Sequence, residues 1–112
     1  MPKPPDRPYS RYSRDALTLL GQMIRRARIE RGLTVAELAT RAGVSRGLIQ
    51  RIERGDPGCT IGAVFETAAI VGVHLFDAGP GALGQALGTN AAMLELLPKS
   101  IRPSRKEAED DF

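Results

Sequence analysis

The sequence predicts a small all-α protein, for three reasons. Apolar residues recur at helical spacing in several successive stretches, and capping residues and glycines bound those stretches. Aromatic residues make up only 4% of the chain, and Trp is absent. The core must therefore be built from Leu, Ile, Val and Ala, which suits short amphipathic helices packed as a bundle.

The first helix is predicted over residues 15–31, with Asp15 as its cap. Arg28 lies close to the inward-facing stripe, and a charge near a core needs a partner. Glu53, late in the third predicted helix, is the candidate partner, and a surface position for Arg28 is the alternative. Gly32 ends this helix. The inward-facing stripe of the helix consists of Leu17, Leu20, Ile24 and Ala27.

The second helix begins after Thr34, which stands three residues before Glu37 and so predicts a capping box. Gly43 supplies the left-handed backbone that stops this helix after two turns. Ser45 is predicted to cap a third helix, and Gly55 to close it. Two helices joined by a short, glycine-containing turn are the arrangement that sets a helix into a DNA groove. The inward positions are Val35, Leu38, Ala39 and Ala42 in the second helix and Leu48, Ile49 and Ile52 in the third.

A fourth helix is predicted over residues 61–71, with Thr60 as its cap and Gly72 as its end. Residues 73–76 then begin a short closing helix. The inward positions of the fourth helix are Ile61, Val64, Ala68 and Val71.

Charge is divided unevenly along the chain. Residues 1–56 hold twelve Lys or Arg against six Asp or Glu, whereas residues 57–112 hold four against seven. The front half is therefore net +6, which favours a polyanion as partner, and the back half is net −3. Cys59 has no second cysteine to pair with, which fits a reducing cytosol, and no apolar run is long enough to cross a membrane. We therefore expect a cytoplasmic protein.

Residues 17–76 resemble the Cro/C1-type (XRE) helix-turn-helix family. The resemblance rests on the stretch LGQMIRRARIERGLTVAEL, the turn AGVS and the closing IERG. It implies a compact five-helix, lambda-repressor-like domain, which we assign to residues 15–78. It also implies that the Arg of the first helix and the Glu late in the third pair internally, in agreement with the proposed pairing of Arg28 and Glu53.

The resemblance implies that the start and middle of the third helix read base edges. Arginine offers two parallel donors to guanine, and glutamine can pair with adenine. Gly47 has no side chain, so it permits close approach of the backbone to the bases and leaves fewer side chains to read them. For each outward arginine, the alternative is a position on a solvated face without a DNA contact. The expected base-reading positions are Ser45, Arg46, Gly47, Gln50 and Arg51. The expected phosphate contacts are Thr34 and Val35, through backbone N–H groups, and the side chains of Arg41 and Arg54.

Both ends of the chain are expected outside this domain. Residues 1–14 are predicted to form a disordered basic arm, which contacts phosphates and a minor groove or is merely solvated. Residues 79–97 should contain a further helix, most secure over 90–97, whose apolar stripe packs on its own domain or forms a dimer contact. Residues 98–112 form a charged tail that is disordered or docks on a partner with Phe112 as its anchor. The apolar stripe consists of Leu83, Leu87, Leu94 and Leu97.

These features predict a sequence-specific transcriptional repressor that binds an inverted-repeat operator in double-stranded DNA as a homodimer. The segment LLPKSIRPSRKEAEDDF resembles the tails of HipB-like antitoxins, which implies an autoregulating type II antitoxin with a HipA-like kinase toxin as its partner. The alternatives are a stand-alone regulator and a non-DNA interaction module, although the basic front half argues against the latter. We expect no enzyme, cofactor or metal site, because no catalytic set or phosphate loop is present and one His and one Cys cannot form a zinc site.

Overall fold

A computed structural model describes residues 9–103 of the chain. Within this range it contains helices and turns but no strand, so the all-α prediction is confirmed. The chain divides into two compact units, one ending at Asp77 and the other beginning at Ala78. None of the helices in the described range is long and apolar enough to cross a membrane. The elements in chain order are α1 (Arg11–Glu30), α2 (Val35–Ala42), α3 (Arg46–Glu53), α4 (Ile61–Ile70), a 3-10 turn (Leu75–Asp77) and α5 (Pro80–Glu95).

The core of the first unit is built from aliphatic side chains of α1 to α4 and of the turns that follow α1 and α4. Aromatic side chains take no part in its fully buried centre, as the composition predicted. Thr67 is also completely buried, and its Oγ1 donates a hydrogen bond of 2.7 Å to the carbonyl of Ala63. This bond satisfies the hydroxyl, so that a polar residue is tolerated in an apolar core. The buried hydrophobic residues are Ile24, Leu33, Leu38, Ala39, Ile49, Ile52, Ala68 and Val71.

The boundaries of α2 and α3 confirm the predicted caps. The Oγ1 of Thr34 accepts the N–H of Glu37 at 3.0 Å, and the N–H of Thr34 donates to Oε1 of Glu37 at 3.1 Å, which completes the capping box. Gly43 ends α2 in the left-handed region with φ +69°. Ser45 then caps α3, because its Oγ accepts the N–H of Leu48 at 3.1 Å.

Two glycines let α1 and the end of α3 approach each other closely. A Cβ at Gly21 would lie 2.5 Å from the carbonyl oxygen of Ile52 and 2.8 Å from that of Glu53. A Cβ at Gly55, where φ is +77°, would lie 2.8 Å from the Cα of Thr18. The backbones themselves are therefore in contact, and any larger residue would push the two helices apart.

The predicted start of the first helix is wrong by four residues. α1 begins at Arg11, and its N-cap is Ser10, whose Oγ accepts the N–H of Ser13 at 3.2 Å. Asp15 is therefore inside the helix, and residues 11–14 belong to α1 rather than to a disordered arm. The reason is that the last proline of the arm is at position 8, which leaves Ser10 and the residues after it able to form helical hydrogen bonds. Residues 1–8 lie outside the described range.

The end of the first unit also departs from prediction. Thr60 occupies the N-cap of α4, but its side chain makes no capping hydrogen bond. Ile61, which was predicted to face inward, is 70% exposed, because the buried side of α4 is centred on residues nearer its C-terminal end. The closing helix is a single 3-10 turn, in which Phe76 has φ +56° and places its ring edge-on to that of Phe65 at 6.3 Å.

The second unit contains α5, which confirms a helix within residues 79–97. Gly79 is its N-cap and Pro80 occupies its first turn, where a proline costs no hydrogen bond. No residue of α5 is buried, and Glu95 is its single charged residue. Residues 98–103 have no regular secondary structure.

Candidate nucleic-acid interface

An ion pair between Arg28 and Glu53 connects α1 to α3. Nε of Arg28 donates to Oε2 of Glu53 at 2.7 Å, Nη2 donates to Oε1 at 3.0 Å, and Nη1 donates to the carbonyl of Leu33 at 2.9 Å. The two side chains are only 11% and 7% exposed. The bond to the Glu53 carboxylate holds the pKa of Arg28 above its usual range. The predicted pair is confirmed, and it ties the end of α1 to the end of α3.

The face of α3 opposite the core is open to solvent. Ile49 and Ile52 are buried, whereas Arg46, Gly47 and Gln50 are exposed. A Cβ at Gly47 would meet only the Oγ of Ser45, at 3.9 Å, so packing does not require a glycine there. Ser45 is itself exposed, and its hydroxyl oxygen serves as the helix cap.

Arg51 lies on the same helix but differs from the other outward residues, because it is ion-paired. Its Nε donates to Oδ2 of Asp56 at 2.9 Å, and the two side chains are 43% and 34% exposed. The Arg51 guanidinium, together with the N–H of Gly58, lowers the pKa of the Asp56 carboxyl, and Asp56 in turn raises the pKa of Arg51. Asp56 was not among the predicted site residues, and no pattern in the sequence points to this contact.

The start of α2 offers fewer free N–H groups than predicted. The N–H of Thr34, one of the two donors predicted to hold a phosphate, already donates to Oε1 of Glu37 at 3.1 Å. That N–H, with the Thr34 hydroxyl, lowers the pKa of the Glu37 carboxyl. The N–H groups of Val35 and Ala36 stand at the first positions of the helix, where no carbonyl of the preceding turn is available as an acceptor. They remain the candidates for an anion contact.

An open cleft of about 390 Å³ brings several of the predicted residues together. It joins the start of α2, at Val35, to the outward face of α3, at Gln50 and Arg54. Arg25 of α1 adds a positive charge that was not among the predicted site residues. Arg41 is exposed but does not line this cleft.

The residues predicted for a dimer or partner contact belong to the second unit. Leu87 and Leu94 of α5 are 72% and 60% exposed, Leu83 is also exposed, and Leu97 lies just beyond the helix. Phe112 lies outside the described residues. Elsewhere, Cys59 is half-buried, and burial raises the pKa of its thiol. Across residues 9–103, no group of His, Cys, Asp and Glu side chains is arranged to hold a metal ion.

Comparison with known proteins agrees with this geometry. A family model described as a helix-turn-helix domain matches residues 19–75, which span most of α1, all of α2 to α4 and the first residue of the 3-10 turn. Neither the comparison with curated proteins nor that with solved structures gives a match. The matched range contains every residue that forms the α3 face and the adjoining cleft.

Proposed function

The chain belongs to the helix-turn-helix domain family, and from that premise we propose that it is a sequence-specific transcriptional repressor with α3 as its recognition helix. The observation that carries the proposal is the division of α3 into two faces. Its apolar side chains are buried in the core against α1 and α2, while Arg46 and Gln50 stand exposed with Gly47 between them. A recognition helix needs such a face, because it must enter the major groove without unfolding the domain.

The base contacts that we propose follow from the donors on this face. Arg46 would donate to O6 and N7 of a guanine, and Gln50 would pair with N6 and N7 of an adenine. Arg51 keeps its two Nη groups for a second guanine, because Asp56 accepts from Nε. Gly47 would allow close approach of the backbone to the base edges, and Ser45 would contribute a hydroxyl at the helix start.

Phosphate contacts are proposed around the cleft between α2 and α3. The N–H of Val35 and the side chains of Arg25 and Arg54 would hold a backbone phosphate there, and Arg41 would contact a neighbouring one. Such contacts position the protein without reading sequence, and they make the affinity dependent on salt concentration.

We further propose that the repressor acts as a homodimer through α5. Its apolar side chains at 83, 87 and 94 are exposed, and the helix holds a single charge, so a second copy could cover it with few charges at the contact. Two recognition helices in such a dimer would read half-sites about 34 Å apart, that is, an inverted repeat.

The C-terminal tail supports a more specific role, that of an antitoxin. Residues 98–112 resemble antitoxin tails, and we propose that they, with Phe112 as an apolar anchor, bind a HipA-like kinase toxin. The protein would then be a non-enzymatic, autoregulating antitoxin that works at the bacterial nucleoid. A stand-alone regulator is the alternative, and a kinase-like reading frame directly beside this gene would decide between them.

The central proposal is tested by selecting duplexes from a random library with the full-length chain and measuring affinities for the selected sequence. Arg46→Ala should lower the affinity for that sequence by about 1–3 kcal/mol and relax the preference at one base pair. Arg26→Ala is the matched control, since it removes another exposed arginine, which lies on α1 and pairs with Glu30. An equal loss for selected and scrambled duplexes would show that Arg46 binds only phosphate.

A further inference from the structure

We propose that Asp56 is a positioning residue for base readout, because it holds the Arg51 guanidinium in one orientation before DNA arrives. The inference rests on the proposed function of α3 as a recognition helix. It adds a residue that lies outside α3 and, by its negative charge, would not itself bind DNA. Its role would be to sharpen base discrimination by Arg51 rather than to add affinity.

Asp56 is held rigidly in relation to α3. Its own N–H donates to the carbonyl of Arg51 at 3.0 Å, which fixes its backbone to the last turn of the helix. Its side chain is fixed as well, because Oδ1 accepts the N–H of Gly58 at 2.7 Å. The second oxygen, Oδ2, is then directed at Nε of Arg51, at 2.9 Å. One carboxylate therefore connects the loop to the arginine.

The contact with Asp56 leaves the two Nη groups of Arg51 available for a base. Asp56 accepts from Nε, whereas the two Nη groups are the ones that can present parallel donors to O6 and N7 of guanine. Gly58 provides the space, since a Cβ there would lie 3.2 Å from Nη2 of Arg51 and 3.2 Å from Oδ1 of Asp56. Arg51 is thus confined on two sides.

Confinement matters because a free arginine loses much rotamer freedom when it forms a bidentate bond. Arg51 has lost part of that freedom in the unbound protein, whereas Arg46 makes no ion pair with any described residue. The opposite role for Asp56 would be to mask Arg51, with its carboxylate competing with DNA for the guanidinium. The two roles predict opposite signs for the same substitution.

Asp56→Asn separates them, because Asn keeps an oxygen for the N–H of Gly58 but removes the charge that holds Arg51. With the duplex selected by the wild-type chain, Arg51→Ala first identifies the base pair that Arg51 reads. Asp56→Asn should then lower discrimination at that base pair about tenfold. Affinity for a scrambled duplex should stay equal or rise, because a negative charge near the phosphates has been removed.

Three controls exclude a general effect. Glu66→Gln removes the same charge from an exposed position on α4 and should leave discrimination unchanged. The double variant Arg51→Ala/Asp56→Asn should lose no more discrimination than Arg51→Ala alone, because Asp56 acts through Arg51. Gly58→Ala, which crowds Nη2 without changing charge, should reproduce part of the loss if Asp56→Asn proves unstable in thermal unfolding.

Two results would overturn the role of Asp56 while leaving α3 as the recognition helix. One is a tighter complex of Asp56→Asn with the selected duplex at unchanged base preference, which is the result expected of masking. The other is a loss of discrimination in the double variant that exceeds the loss in Arg51→Ala. A wild-type chain that selects no sequence at all would instead overturn the proposed function, and the role of Asp56 with it.

Discussion

Replacing Arg28 by Ala tests the contact that ties the end of α1 to the end of α3. The substitution removes both hydrogen bonds to Glu53 and the bond to the Leu33 carbonyl. It leaves the Glu53 carboxylate, 7% exposed, without its charged partner. Loss of one partner of a buried pair costs about 3–5 kcal/mol. Because the Glu53 carboxylate keeps some contact with water, we expect a cost at the lower end of this range. For a domain of this size, about 3 kcal/mol corresponds to a fall in Tm of about 12–24 °C.

The measurement is urea unfolding followed by circular dichroism. The midpoints are compared between variants whose free energy of unfolding depends equally steeply on urea concentration. Arg26→Ala is the matched control, because Nε of Arg26 approaches Oε1 of Glu30 at 2.8 Å but the two side chains are 81% and 63% exposed. Such a surface pair should contribute no more than about 0.5 kcal/mol. Arg28→Met combined with Glu53→Leu should recover much of the loss, since no charge is then left buried alone. Equal effects of Arg28→Ala and Arg26→Ala would refute the reasoning.

Other expectations concern the helix crossing, the α2 cap and the C-terminal helix. Gly21→Ala should cost more than about 2 kcal/mol, because its Cβ would meet backbone oxygens, whereas Gly47→Ala on the open face of α3 should stabilise by about 0.5–1 kcal/mol. Equal urea midpoints for these two variants would contradict the close crossing. Thr34→Ala should cost about 1 kcal/mol in the same assay, and an unchanged midpoint would show that the cap is dispensable. The pKa of Glu37 is lowered in the folded chain, so its stabilising effect is present above the pKa of the unfolded chain and is lost as pH falls through the lower, folded value. Carboxyl-carbon chemical shifts followed against pH would detect this, and an ordinary Glu midpoint would contradict it. Deletion of residues 91–112 should weaken dimerisation, seen in sedimentation as a shift from dimer to monomer mass, or weaken partner binding, more than it lowers the unfolding midpoint of the first unit. An unaltered oligomeric state together with unaltered partner capture would refute the proposed role of α5 and the tail.

The boundaries of α2 and α3 were predictable because their determinants are local. Thr34, Gly43 and Ser45 act through hydrogen bonds and backbone angles within three or four residues, so the order of residue types is sufficient to place them. The same local reasoning placed the start of the first helix four residues too late. Ser10 is as good a cap as Asp15, but its closeness to the prolines led the prediction to assign it to the arm.

The pair of Arg28 and Glu53 was predictable for a different reason. A charged residue beside an apolar stripe has to be compensated, and this requirement limits the partner to a few positions even across 25 residues. No such requirement pointed to Gly21 or to Thr67. A glycine or a threonine is compatible with an exposed helix face, and only the packed helices reveal that both are buried.

The sequence by itself therefore determined the all-α class, the caps of α2 and α3 and the outward side of α3, because periodicity and capping act over a few residues. Tertiary structure alone decided which groups on that side remain available. Arg46 remains open there, whereas Arg51 is held by Asp56. This outcome depends on the direction in which the loop leaves α3 and on a rotamer chosen among several of similar energy, and packing of the whole unit selects both.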